Sequence, residues 1–172
     1  MNHRNDHPIL ALDPGLQDLG YAVLLKRRLL DHGVLQLRGR ARSGRLRRVE
    51  EALGFWIRAY RPRTLVIEHL PRRPLDAIGG LPALGRLLRR MARAQHLKLH
   101  AYSPKAVRQV VVGDGWAGKR EVAQAVSGQF PELRVHLTQD RKWKERYWQN
   151  MYDAAALAIH HQLIIKPPSR SR

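Results

Sequence analysis

The sequence predicts a single α/β domain built on a five-stranded mixed sheet, in which three antiparallel meander strands precede two alternating strands, with helices on both faces. Three apolar segments follow one another near the N-terminus with only short turns between them, which is typical of an antiparallel meander. Two further apolar segments alternate with helical patterns, which favours a mixed sheet covered on both sides. With 172 residues, 44% of them hydrophobic, the chain is long enough to bury the core of one such domain.

The expected strands are short apolar runs bounded by turn-forming residues. The first run ends at Asp13-Pro14-Gly15, and the second and third are joined by the polar link Lys26-Arg27-Arg28. The predicted strands are residues 8–13, 19–25, 29–37, 64–68 and 98–102.

Helices are expected where apolar residues recur at helical spacing, or where a capping residue begins a segment. Ser43 is the expected N-cap of the first helix, and Ser103-Pro104 begins the third, because proline suits the first helical turn. The expected helices are residues 43–60, 81–95, 104–113, 119–130 and 150–163. The domain therefore covers residues 1–165, and we expect residues 166–172 to form a basic, disordered tail.

The charge of the chain indicates a polyanionic partner. Lys and Arg number 32 against 14 Asp and Glu, for a formal net charge of +18. The cations are spread along the whole chain rather than gathered on one amphipathic helix, which favours nucleic acid over a membrane surface. The chain has no cysteine, its N-terminal segment is polar, and no apolar run approaches the length of a membrane helix. We therefore expect a cytoplasmic, nucleoid-associated protein without disulfides or a membrane span.

Three carboxylates stand at the ends of the most apolar segments. Asp13 and Glu68 each end a predicted strand, and Asp153 begins an alanine-rich helical segment. Singly, Asp13 can belong to a turn, Glu68 can bond a backbone N–H, and Asp153 can cap its helix. Together, at clustered strand ends, they form a set of hard oxygen ligands that suits Mg²⁺ or Mn²⁺. Next to a polyanion-binding surface, such a set favours two-metal phosphodiester hydrolysis.

Three basic segments are candidates for phosphate contact. The loop from Gly113 to Lys119 has the spacing of a nucleotide-binding loop but continues with Arg120, so a phosphate contact by Lys119 or a purely structural turn are the alternatives. One predicted helix carries four arginines that either bind phosphate or form a solvated face: Arg86, Arg89, Arg90 and Arg93. The stretch 141–148 interleaves cations with Trp143, which suits either stacking on unpaired bases or packing at an interface.

Four ordered sequence blocks resemble the RuvC-type Holliday junction resolvases of the RNase H-like superfamily. The blocks extend over nearly the whole chain: Ile9 to Leu16 with Gly20 to Val23, Val66 to Glu68, Tyr102 to Gln109 continuing to Lys119, and Asp153 to Ile159. The resemblance implies an RNase H-like sheet, a homodimer, and metal-dependent nicking of two strands across a four-way DNA junction during recombination and repair. A branch-migration motor is a further candidate partner.

The resemblance also assigns roles to individual residues. Asp13, Glu68 and Asp153 would hold two Mg²⁺ ions, which Mn²⁺ can replace, and Arg108 and Lys119 would lie near the substrate strand. We count three further basic residues of these blocks, or of the loop after Glu68, as DNA contacts: Lys105, Arg72 and Arg73.

The chain departs from the family pattern at two places that matter for function. Asn150 stands where many members have an acid or a histidine, three positions before the last aspartate, and we expect it to assist the metal through its carbonyl oxygen. After Glu68 the chain has His69-Leu70-Pro71-Arg72-Arg73 where the family usually has an aromatic residue. Two alternatives therefore stay open: a non-catalytic or weakened junction-binding protein, and an RNase H-like nuclease acting on RNA or other branched intermediates.

Overall fold

The computed structural model describes residues 7–15, 17–38, 41–69, 80–137 and 142–165, and for residues 142–146 the backbone alone. Within these ranges the strands are β1 (Ile9–Pro14), β2 (Asp18–Leu25), β3 (Arg28–Gln36), β4 (Thr64–Glu68) and β5 (Lys98–Tyr102). The α-helices are α1 (Arg42–Tyr60), α2 (Leu81–Ala94), α3 (Pro104–Val111), α4 (Lys119–Gln129) and α5 (Lys142–Ile164), and a 3₁₀-helix covers Pro131–His136.

The strands form one mixed sheet in the order β3-β2-β1-β4-β5. Strand β2 pairs antiparallel with both β1 and β3, whereas β4 pairs parallel with both β1 and β5. The predicted meander and the two alternating strands are therefore confirmed. Because β1 and β4 run in parallel at the centre of the sheet, their C-terminal ends lie side by side.

Each face of the sheet has its own hydrophobic core, because successive side chains of a strand point to opposite faces. Leu10 and Leu12 of β1 pack on the side of α1 and α2, with Leu53 of α1 and Leu88 of α2. Ala11, between them, packs on the other side with residues of α3, α4 and α5. The expected helices on both faces are confirmed.

Helix α1 begins one residue earlier than predicted and has a different cap. Ala41 is the N-cap, no side chain caps this end, and Ser43 lies within the first turn. The predicted Ser43 cap is therefore wrong. The backbone N–H of Arg45 bonds the carbonyl of Ala41, so the turn closes through backbone groups. In α3 the predicted cap is correct, since the Ser103 hydroxyl accepts from the backbone N–H of Ala106 at 3.3 Å.

Helix α5 begins at Lys142, eight residues before its predicted start at Asn150. The start was not predicted because residues 142–149 are mainly polar and basic, although Trp143, Tyr147 and Trp148 are at helical spacing. From Met151 to Ile159 almost every side chain of α5 is buried, and Asp153 is a partly exposed exception. None of the helices within the described residues combines the length and the apolar character that crossing a membrane requires.

Candidate active site

Asp13 and Glu68 lie next to each other at the C-terminal ends of the two central parallel strands. Leu12 pairs with Ile67, so Asp13 and Glu68 occupy the next position of the same register. Both belong to the strand face that carries Ala11 and Val66, which pack against α5. The sheet alone therefore brings two carboxylates to one place, on the face that α5 covers.

Asp153 reaches this place because α5 lies unusually close to β2. Gly20 of β2 pairs directly with Asp13. A Cβ atom at Gly20 would lie 1.9 Å from the carbonyl oxygen of Asn150 and 2.7 Å from the backbone nitrogen of Met151. Only glycine permits this approach. Asp153 follows Asn150 by three residues and so shares its helix face, which directs it toward the end of β1.

Asn150 links the same turn of α5 to the start of β2 through a hydrogen bond. Its Nδ2 donates to the backbone carbonyl of Asp18 at 3.0 Å, and that carbonyl also accepts from the N–H of Gly15 at 3.1 Å. Arg38 donates twice to the carboxylate of Asp18, at 3.1 and 2.7 Å. A Cβ atom at Gly15 would approach the Asp18 carbonyl to 2.4 Å, so the turn after Asp13 also requires glycine.

Burial raises the pKa of all three carboxyl groups. Burial raises the pKa of Asp13 well above its usual value, and the nearby charges of Asp153 and Glu68 raise it further. Burial also raises the pKa of Glu68, and Asp153 adds to that effect. The pKa of Asp153 is raised by burial, although a hydrogen bond from Gln149 Nε2 to its Oδ1 at 3.1 Å opposes the shift. All three nevertheless keep part of their surface exposed to solvent, so the cluster is open at one side.

Two cations stand close enough to act on this cluster. The positive charge of Lys119, at the start of α4, lowers the pKa of all three carboxyl groups. Arg108, in the last turn of α3, does the same for Glu68 and Asp153. Neither charge cancels the net upward shifts, so the cluster can accept additional positive charge.

The donor chemistry of the cluster fits a divalent metal. Three carboxylates supply hard oxygen ligands, and a cation between them would relieve both their repulsion and the cost of burying their charge. Among the described residues, no three His, Asp or Glu side chains are already close enough to hold a metal ion. Metal binding would therefore require the three side chains to lie closer together than they do in this structure.

The other predicted DNA contacts fall into three groups. Lys105 and Arg108 lie one turn apart on α3, on the side of the sheet that bears the carboxylates. Arg86 and Arg90 are exposed on α2, which packs on the opposite face, and Arg90 donates to Glu50 of α1 at 2.9 Å. The structure therefore does not bring α2 to the carboxylates. Arg72, Arg73 and the tail 166–172 lie outside the described residues, as does the side chain of Trp143.

The nucleotide-binding alternative for residues 113–119 lacks its structural context. Such a loop follows a β-strand, whereas Val110 and Val111 belong to helix α3. The residues form a tight interhelical turn instead, with Gly113 at a φ of +94°. Lys119 begins α4, and the Glu121 carboxylate accepts from the backbone N–H of Gly118 at 2.6 Å.

Sequence reasoning missed the residues that position the carboxylates. Gly20 belongs to the first of the four sequence blocks, but no neighbouring residue in the sequence indicates that a helix backbone lies against it. Asp18 and Gln149 are polar residues of common types, and only their partners, Asn150 and Asp153, reveal a positioning role.

Comparisons with known proteins identify relatives of this chain. The family model for crossover junction endodeoxyribonuclease RuvC matches residues 9–161. RuvC from Alkaliphilus metalliredigens is 29% identical over 159 residues, covering 89% of this chain and 91% of the relative. RuvC from Akkermansia muciniphila is 34% identical over 122 residues, covering 67% of this chain and 72% of the relative.

The fold is also similar to solved structures. Thermus thermophilus RuvC, alone and in complex with a Holliday junction substrate, superposes with a TM-score of 0.69 at 24% identity, covering 90% of this chain and 92% of that one. This likeness confirms the predicted RNase H-like architecture. Because the family model spans most of the sequence, the chain belongs to the RuvC family of crossover junction endodeoxyribonucleases.

Proposed function

We propose that this protein resolves four-way DNA junctions by metal-dependent hydrolysis, with Asp13, Glu68 and Asp153 as the metal-binding carboxylates. The observation that carries the proposal is the meeting of these three residues, from β1, β4 and α5, on one face at the end of the sheet. The charges of Asp153 and Glu68 raise the pKa of Asp13, and that of Asp153 raises the pKa of Glu68, which supports a single cluster. The substrate of the Thermus thermophilus complex supports a junction as the DNA form that is bound.

In this proposal, basic side chains next to the carboxylates bind and orient the scissile phosphate. Two divalent ions, Mg²⁺ or Mn²⁺, would supply an activated water and stabilise the leaving 3′ oxygen when bound by the carboxylates. Lys119 and Arg108, which already act electrostatically on the cluster, would attract the phosphodiester and place it against the carboxylates. Gly20 and the Asn150 amide keep α5 against β2, so that Asp153 stays next to Asp13.

Selectivity for a junction would come from shape and symmetry. A net charge of +18 supports binding to the DNA backbone in general. A homodimer with two-fold symmetry would present two such clusters to the two equivalent strands of a junction, and paired cuts would follow. A branch-migration motor would be a further partner of that assembly.

Asn150 favours a second candidate function, which is junction binding with weak or no cleavage. Its amide N–H is engaged with the Asp18 carbonyl, and it brings no negative charge to the cluster. If its carbonyl oxygen also reaches a metal, as expected from the sequence, Asn150 has two roles. If it does not, the three carboxylates must hold the metals alone.

One experiment separates these functions. The purified protein is incubated with a mobile four-way junction, a matched linear duplex, a flap or a structured RNA, in Mg²⁺ or Mn²⁺, beside Asp13→Asn and the control Glu51→Gln. Glu51 is an exposed acid on α1, on the opposite side of the sheet, so its substitution should leave cleavage unchanged. We expect paired nicks in the junction from the parent and from Glu51→Gln, and none from Asp13→Asn.

Each other outcome has a distinct meaning. Junction binding without nicks in either metal would support the binding protein. Equal cutting of linear duplex would contradict structural selectivity, and better cutting of a flap or a structured RNA would identify a different nuclease. Nicks that persist in Asp13→Asn would show that the active site lies elsewhere.

A further inference from the structure

Trp116 is the most exposed large hydrophobic side chain in the described part of the molecule. It is 80% exposed, whereas Val135 and Phe55 are 60% and 55% exposed. Indole is the largest side chain and normally contributes to a core or an interface. A single exposed hydrophobic residue is normal on a protein surface, so the neighbours of Trp116 decide whether it belongs to a binding site.

The exposure of Trp116 is imposed by a well-bonded turn. The N–H of Trp116 bonds the Asp114 carboxylate at 2.8 Å. Gln109 of α3 bonds the turn twice, accepting from the N–H of Gly115 at 3.1 Å and donating to the carbonyl of Gly113 at 2.8 Å. The next residue, Ala117, is buried and anchors the turn. The indole is therefore held outward by its backbone.

One cation lies on the face of the indole, and two more lie close to it along the chain. The Nζ of Lys105 lies 4.3 Å from the centre of the Trp116 ring, in a cation–π contact. Arg108 lies one turn beyond Lys105 on α3, and Lys119 follows Trp116 by three residues. Arg108 and Lys119 are the two cations that act on the carboxylate cluster. The exposed ring with a cation on its face therefore belongs to the same α3–turn–α4 segment as the two cations that act on the carboxylates.

We propose that Trp116 and Lys105 form a stacking site for an unpaired DNA base, next to the carboxylate cluster. Exposed aromatic rings bordered by cations bind single strands because every base has a π-face and every nucleotide carries a phosphate. A base stacked on Trp116 would have its backbone phosphates beside Arg108 and Lys119, and the strand would continue toward Asp13, Glu68 and Asp153. The identification of DNA as the ligand of this site rests on the proposed function.

The test uses the full-length protein and a single-stranded oligonucleotide that contains one 2-aminopurine, whose fluorescence falls when it stacks on an aromatic ring. The variants are Trp116→Ala, Trp116→Phe and the matched control Phe55→Ala, an exposed aromatic on α1 at the opposite face. We expect Trp116→Ala to weaken binding about 5- to 150-fold, the usual range for one stacked base, and to abolish the quenching. Trp116→Phe should retain most of both, and Phe55→Ala should bind as the parent does.

Two results would overturn the inference. Parental binding and quenching in Trp116→Ala would exclude stacking on this residue. A change in association state with unchanged DNA binding, measured by sedimentation velocity, would identify the surface as a contact between protein chains instead.

The junction assay separates failure of this inference from failure of the proposed function. If the parent protein cuts junctions while Trp116→Ala binds and quenches normally, only the stacking site is wrong. If the parent cuts nothing but single-strand binding depends on Trp116, the stacking site stands and the proposed nuclease activity does not.

Discussion

Two polar clusters lie on the same face of the sheet beneath α5, and they differ in what burial does to them. The acid cluster, Asp13, Glu68 and Asp153, lies at the C-terminal ends of β1 and β4. The histidine cluster consists of residues from β5 and the C-terminal part of α5: His100, Tyr102, His160 and His161. Burial drives both toward their neutral forms, raising the pKa of the acids and lowering that of the histidines.

The clusters differ in the hydrogen bonds and ring contacts that the protein offers to the neutral side chains. In the histidine cluster, the Tyr102 hydroxyl and His161 Nδ1 are hydrogen-bonded at 2.8 Å, and the rings of Tyr102 and His160 pack at 4.4 Å. His161 is satisfied in this way, whereas the Nδ1 of His160 is buried with no hydrogen-bond partner among the described residues. Asp153 accepts a hydrogen bond from Gln149, and the acid cluster remains partly open to solvent. The difference supports a structural role for the Tyr102–His161 pair and is consistent with the proposed metal-binding role of the acids.

The largest expected effect is that of Asp13→Asn on activity. Removing one metal-binding carboxylate should reduce junction cleavage by about 10³-fold or more, since metal-assisted stabilisation contributes several kcal/mol to the transition state. The same change should stabilise the metal-free fold at pH 7. The raised pKa of Asp13 means that its charged form is unfavourable in the native state, and the neutral amide removes this cost.

Thermal unfolding in a metal chelator measures the second effect. Each 1 kcal/mol recovered corresponds to a rise in Tm of about 2–4 °C for a domain of this size. Adding Mg²⁺ should then raise the Tm of the parent more than that of Asp13→Asn, because binding stabilises only the state that binds. A lower Tm for the variant in chelator would show that the acid cluster is not strained.

The next effect concerns how α5 is held above the acid cluster. Gly20→Ala would place a Cβ atom 1.9 Å from the Asn150 carbonyl, so the helix must shift. We expect a loss of about 1–3 kcal/mol in the free energy of unfolding, measured by urea denaturation, together with reduced cleavage. Gly128→Ala is the matched control, because a Cβ atom there meets nothing within 4 Å and alanine favours the α4 helix. If both variants behave alike, the close approach at Gly20 has no energetic importance.

The histidine cluster predicts a loss of stability in acid. Burial lowers the pKa of His161 to about 4, with His100 and His160 adding to the shift. An unfolded histidine binds its proton near pH 6.5, so the unfolded state takes up protons before the native state does. The contribution of His161 to stability is therefore complete above pH 6.5 and is lost as the pH falls from 6.5 to about 4.

His161→Gln isolates this contribution from the acids, whose raised pKa values give the opposite slope. The free energy of unfolding of the parent should fall more steeply than that of the variant between pH 6.5 and 4. Urea denaturation at several pH values measures the difference. Parallel curves for the two proteins would mean that His161 titrates normally in the native state.

The smallest effect distinguishes the two roles of Asn150. Asn150→Ala removes the hydrogen bond to the Asp18 carbonyl and should cost about 1 kcal/mol in the free energy of unfolding. Asn150→Asp should cost more in chelator at pH 7, because a carboxylate would face that carbonyl oxygen. Added Mg²⁺ should reverse this order if position 150 also contacts a metal. An unchanged order in Mg²⁺ would limit Asn150 to holding α5 against β2.

The sequence by itself determined the strands, their succession along the chain and the positions of the three acids. Apolar runs ending in turns define strands locally, and the ordered sequence blocks placed Asp13, Glu68 and Asp153 in one family pattern. The start of α5 was not predicted, because the polar and basic character of residues 142–149 outweighed the helical spacing of their aromatic residues. Asp153 therefore proved to be interior to its helix, eleven residues after Lys142, and not a helix cap.

Only the tertiary structure decided which residues act together. Arg86 and Arg90 resemble DNA contacts in sequence, yet α2 packs on the face opposite to the acid cluster. Gly20 and Trp116 carried no functional signal, although one lets α5 approach Asp13 and the other faces solvent beside Lys105. The physical reason is that local patterns specify elements, whereas helix-to-strand distance, sheet face and exposure arise from contacts between residues far apart in the chain. The acids, Asn150, Arg108 and Lys119 could be identified from the sequence, whereas the contacts of Gly20, Gln149 and Trp116 are visible only in the folded molecule.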